Sequence, residues 1–270
     1  MKIREHRLVT QGEALFCLIH RSLVGNIGQN ENHPWLARWT LFEAWSEFIE
    51  QATCLFFVGR LIRLARHLDS LHCDEKLVRR ELSSFINNDV GLSRDELHKW
   101  VQLTISAADV SRLDCSDGIA KSMKAWAKKD RPICYLCGVN LDFGDKSNAK
   151  NTYTLEHIWP RSFGGDSSDI DNLLPACKLC NSARKKGFAM WSATAIHSVN
   201  LKVMASENAR SRLEGPIKYA IHQRHLWRVA VENRVTFKTA ALKVGPWQQI
   251  PEFIDSNDSG HFFNLKNHLA

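Results

Sequence analysis

The sequence predicts a mainly α-helical protein in three parts: a helical N-terminal domain, a small cysteine-stapled finger, and a basic helical C-terminal segment. Three observations predict it. Apolar residues recur at helical spacing through a first half that holds no proline between Pro34 and Pro132. Two Cys-x-x-Cys pairs then bracket a stretch rich in glycine and in Asn and Asp. Beyond the second pair the charge balance turns basic.

Residues 1–129 form the predicted helical domain. Leu41/Phe42, Trp45, Phe48/Ile49, Leu55, Phe56, Leu61, Ile62 and Leu64 make one stripe, and Val78, Leu82 and Phe85/Ile86 a second. A third begins at a Ser93-x-x-Glu96 capping box and runs through Leu97, Trp100, Val101 and Ile105. These aromatic-rich stripes read as core. Nothing in them carries chemistry, and the residues alone leave the domain's function open.

The helical pattern stops at Lys128-Lys129-Asp130-Arg131-Pro132, and residues 130–192 form the finger. Gly, Asn and Asp crowd 138–151, and the β-favouring run Thr152–Leu155 then delivers Glu156 and His157. Gly164-Gly165 and the Asp/Ser cluster 166–171 read as a turn and loop, better suited to turning the chain than to cradling phosphate. Asn181–Lys186 reads as a short helix stopped by Gly187. Residues 193–270 are again helical, with a helix expected to start at Gly215-Pro216.

From Lys178 to Lys243 there are thirteen Lys and Arg against three Glu, a net of +10 in a chain whose total is +7. The rest is therefore slightly acidic, and the positive surface gathers behind the finger, as expected for a nucleic-acid partner. No run of about 18 apolar residues is present to cross a membrane. Ala14–Val24, the most apolar N-terminal stretch, is interrupted by His20 and Arg21 and lacks a cleavage site, so a cytoplasmic location is expected.

Of eight cysteines, Cys17, Cys54, Cys73 and Cys115 are scattered singly, as small buried hydrophobes are. Cys134 and Cys137 pair, as do Cys177 and Cys180, with 39 residues between the pairs. Four thiolates are the tetrahedral set of a closed Zn²⁺ site, so the zinc is a staple with no open position for chemistry. The staple pins Asn181, next to Cys180, and encloses the strand that carries Glu156 and His157. A carboxylate and an amide oxygen are hard ligands suited to Mg²⁺ or Mn²⁺. Glu156 and His157 are neighbours on a strand and point to opposite faces, so one can hold an ion while the other activates water.

The succession Cys134-x-x-Cys137, Glu156-His157-Ile158-x-Pro160-x-Ser162-x-Gly164-Gly165, Asp171-Asn172-Leu173 and Cys177-x-x-Cys180-Asn181 resembles the HNH nuclease family, whose catalytic unit is the ββα-metal finger. The likeness covers Cys134 to Lys186. It implies His157 as general base, Glu156 and Asn181 as ligands of a catalytic Mg²⁺ or Mn²⁺, and Asn172 as the residue that steadies the loop and the histidine. The family commonly has aspartate where this chain has Glu156, one methylene longer. The implied reaction is hydrolysis of DNA with little sequence preference, with Arg161, Arg184, Lys185 and Lys186 gripping phosphates. RNA as substrate, or a zinc module that only binds nucleic acid, would use the same residues. Freestanding proteins of this kind also resemble restriction enzymes and components of anti-phage defence systems such as the Zorya type, in which the helical domain would meet other proteins of the system.

Overall fold

Helical periodicity in the first half is realised as a bundle on which the finger is seated. The computed structural model describes residues 6–27, 43–144, 149–183 and 222–246. Helices α1 (Gln11–Ile27), α2 (Glu43–Ser70), α3 (Glu75–Asp89), α4 (Arg94–Val110) and α5 (Asp117–Asp130) follow in order. Local side chains satisfy their first amides: Asp74 caps α3 through Leu77 N, and Ser116 caps α5 through Ile119 N. The Ser93/Glu96 box forms in both directions. A second such box, not anticipated from sequence, starts α1. Thr10 Oγ1 accepts from Glu13 N, and the Glu13 carboxylate accepts from Thr10 N and from the ring of His6.

Helix α1 packs on α2 and α4, and α2 packs on α3 and α4. Leu15, Ile19, Val58, Leu61, Ile62, Leu82, Ile86 and Trp100 are buried between them. Phe56 lies off the buried side of α2, which takes Cys54, Leu55, Val58, Leu61 and Ile62; it is 59% exposed, with the Arg60 guanidinium 5.4 Å from its ring centre.

The finger is a hairpin followed by a helix. Strands β1 (Tyr153–His157) and β2 (Leu173–Cys177) pair antiparallel, from Tyr153 opposite Cys177 to His157 opposite Leu173, and α6 (Lys178–Ala183) follows β2 directly. The short helix thus begins at Lys178, three residues earlier than the sequence suggests. Its first amides are taken up by the chain ahead of β1, Lys178 N donating to Thr152 O and Leu179 N to Lys150 O. Pro175 sits inside β2, opposite Leu155. Proline has no N–H to donate and is tolerated where its backbone faces away from the partner strand. Here that outer edge is closed by the first cysteine turn, whose Tyr135 N donates to Pro175 O at 3.1 Å.

Helix α5 packs against both strands, α2 meets the tight turn Arg161–Phe163, and α7 (Phe237–Val244) meets the turn Ile170–Asn172. Residues 222–233 are also helical. One hydrophobic core runs through all of these parts, containing Leu15, Trp100, Cys134, Trp159, Leu174, Leu226 and Phe237 alike. No helix of the described residues is long and apolar enough to cross a membrane. The expected helix start at Gly215-Pro216, with most of the basic stretch, lies outside the described residues.

Candidate active site

The four paired cysteines converge, as their spacing predicts. Cys134 and Cys137 sit on a turn closed by Gly138 N to Cys134 O and Cys134 N to Val139 O, both 2.9 Å. Cys177 ends β2, and Cys180 lies in the first turn of α6 with its amide donating to Cys177 Sγ at 3.3 Å. All four sulfurs lie within 4.8 Å of one another. Cys137 and Cys177 are 3.8 Å apart, sulfur to sulfur. The edge of a tetrahedron with arms of about 2.3 Å is about 3.8 Å, so the set has the dimensions of a Zn²⁺ site. Hydrogen bonding from Cys137 pulls the Cys134 thiol down to about 7, and contacts from all three neighbouring thiols lower Cys177. Cys137 and Cys180 are pushed up by the sulfurs around them. Thiols this close resist ionising together without a cation, which is the chemistry a zinc ion supplies.

Between the cysteine pairs, Asn172 fixes the loop that leaves β1. Its Oδ1 accepts from Trp159 N at 2.7 Å, and its Nδ2 donates to Trp159 O at 3.0 Å and Asp166 O at 2.9 Å. The side chain is buried, and Ile158 N donates to its own carbonyl. Trp159 is wholly buried; its ring meets Phe16 of α1 edge-on at 5.6 Å and stacks on Phe237 of α7 at 6.3 Å. The indole N–H donates to Phe163 O. Gly12 at the start of α1 lies so close that a Cβ there would come 2.1 Å from Phe163 O and 2.5 Å from Trp159 Nε1. Gly164 adopts φ +83°, a left-handed turn that suits glycine, and its carbonyl accepts from Gly12 N. The Gly-Gly pair is thus the turn that sequence predicts.

His157 ends β1, half-buried, with Nε2 at 2.9 Å from Ser167 Oγ. Burial, and after it the nearby Arg161 guanidinium, holds the imidazole below its ordinary value, with Asp166 pulling the other way. Burial and Arg161 both favour the uncharged ring. Glu156 is buried on the opposite face of the strand. Asn181, in α6, donates through Nδ2 to Thr154 Oγ1 at 3.1 Å and Leu155 O at 3.4 Å. Thr154 and Glu156 alternate onto one face of β1, so the helix brings Asn181 to the face that carries Glu156. The amide nitrogen of Asn181 is thus engaged by the strand.

Arg161 is placed differently from a phosphate grip. Its guanidinium donates to Ser111 O at 2.9 Å, to Arg112 O at 2.8 Å and to the Asp114 carboxylate at 2.8 Å, fastening the finger to the C-terminal end of α4. Arg66 of α2 reinforces the joint, donating to Ser111 O, Ser111 Oγ and Arg161 O. Arg184, Lys185 and Lys186 lie outside the described residues. Sequence reasoning passed over Ser167, Ser111 and Arg66. For Ser167 the only signal was its place in a turn-forming cluster, and for the other two there was none.

The family model described as HNH endonuclease matches residues 134–187, about a fifth of the 270-residue chain. No curated protein and no solved structure matches the chain. Residues 134–187 are thus similar in sequence to the HNH endonuclease family, and the described residues among them include two strands and a helix beside four clustered cysteines.

Proposed function

We propose that residues 134–187 form the catalytic unit of a metal-dependent endonuclease that hydrolyses DNA phosphodiester bonds with little sequence preference. The observation that carries this reading is a half-buried imidazole, His157, ending the first strand of an HNH-like finger, where burial holds its pKa down. His157 takes the proton of the attacking water. Glu156 and Asn181 would hold Mg²⁺ or Mn²⁺, which when bound supplies charge stabilisation at the phosphate. Asn172 holds the loop beside the base in register. The four-cysteine zinc site is structural. Phosphate contacts fall to Arg184, Lys185 and Lys186, while Arg161 serves as a fastener. One finger offers one such centre, so a single copy nicks one strand per encounter.

The test is conversion of supercoiled plasmid to open circle by the purified protein with Mg²⁺ or Mn²⁺, run beside a structured RNA of similar size. Nicked plasmid is the expected result. Cleavage of the RNA alone would move the substrate class, and binding without cutting in any divalent metal would end the reading.

A further inference from the structure

We infer that Ser167 is a positioning residue for His157: its buried hydroxyl accepts the Nε2–H of the imidazole, so that the ring presents the lone pair of Nδ1 to water. The inference rests on the reading of His157 as the general base.

A neutral imidazole carries one N–H and one lone pair, and the bond made by one nitrogen decides the role of the other. Nε2 of His157 is engaged, 2.9 Å from Ser167 Oγ. Ser167 is completely buried, so its hydroxyl is not exchanged for water at this contact. Were the hydroxyl to donate to Nε2 instead, the ring proton would sit on Nδ1 and neither nitrogen would be left with a lone pair to offer. A base at this position therefore requires Ser167 to accept.

Both partners are held by backbone that Asn172 organises. On the histidine side, Asn172 binds the N–H and the carbonyl of Trp159, two residues beyond His157. On the serine side it binds Asp166 O, in the peptide that joins Asp166 to Ser167. The Asp166 carboxylate then accepts from Ser168 N and Ser168 Oγ at 2.7 Å, closing a turn over Ser167. A chain of short contacts thus runs from Asn172 through Ser167 to the imidazole. It assigns Asn172 the placing of both backbones and Ser167 the choice of tautomer.

Partners that fix the orientation and tautomer of a working histidine are typically worth about 10- to 100-fold when removed. The test uses the full-length, zinc-loaded protein, isotope-labelled at the histidine nitrogens. His157 is identified by the signals missing in His157→Gln. Long-range nitrogen–proton spectra at neutral pH should show the proton of His157 on Nε2 in the wild type. Ser167→Ala should give a mixture of tautomers and a single-turnover cleavage rate about 10- to 100-fold lower at unchanged DNA affinity. Ser167→Thr, which keeps the hydroxyl, should recover the single tautomer and most of the rate. A wild-type ring protonated on Nδ1 would overturn the inference, as would Ser167→Ala with wild-type tautomer and rate. If Ser167→Ala fails to fold, the wild-type tautomer and Ser167→Thr still decide. A wild type that never cleaves removes the nuclease reading, whereas the tautomer reports on the contact by itself.

Discussion

Asn172 and Arg161 show how differently single residues were legible. The role of Asn172 as a steadying residue is what resemblance to the HNH pattern implies; in the structure its side chain bonds Trp159 N, Trp159 O and Asp166 O. Asn172→Ala removes buried hydrogen bonds to the Trp159 N–H and carbonyl and is expected to cost about 2–4 kcal/mol in denaturant unfolding. Arg161 was read as a phosphate contact because a positive charge beside a catalytic motif looks the same in sequence whether it faces solvent or protein. What it meets is the carbonyl-rich end of α4, which favours cations. A brace and a phosphate contact separate cleanly by experiment. Arg161→Gln is expected to lower the melting temperature and leave the salt dependence of DNA binding unchanged, whereas loss of a phosphate contact would reduce that slope by about one.

At the scale of elements, the finger was readable where composition marked it and obscure where tertiary contacts decide. The cysteine spacing announced the staple, and Thr152–Leu155 announced β1. No sequence signal marked β2, because Pro175 argues against a strand until the second strand's outer edge is known to face the cysteine turn. The staple joins the end of β2 and the start of α6 to the first turn, so removing its metal should release Asn181 from β1. A strong chelator, or Cys177→Ser, is expected to remove one zinc per chain and to abolish cleavage even with Mg²⁺ in excess; metal analysis beside the nicking assay checks this. The start of α1 is equally constrained. Gly12→Ala would drive a methyl group into Phe163 O and the Trp159 indole, at an expected cost of about 2–4 kcal/mol on thermal or denaturant melting.

For the whole molecule, the sequence suggested three regions in series, and the packing joins them through Trp159. Its ring touches α1 on one side and α7 on the other, and the loop it anchors is the one that places His157. Such joints are invisible to periodicity, which identifies apolar faces but not what they meet. They make the described helices α1, α2 and α5 part of the support of the finger. Phe16→Ala is accordingly expected to destabilise the protein by about 3–5 kcal/mol, and a chain starting at residue 130 to lose cooperative unfolding, both followed by the near-ultraviolet circular dichroism of the aromatic side chains. A truncated chain that melts cooperatively and still cuts would separate the regions again.

The central claim is that His157 is the base of a nuclease, and single-turnover cleavage of supercoiled plasmid by wild type and His157→Ala tests it most directly. The two proteins must first be matched in melting temperature and zinc content. General-base catalysis contributes about 100- to 10,000-fold, so a loss of that size in His157→Ala, at equal DNA affinity, is the predicted result. Equal rates from the two proteins would contradict it.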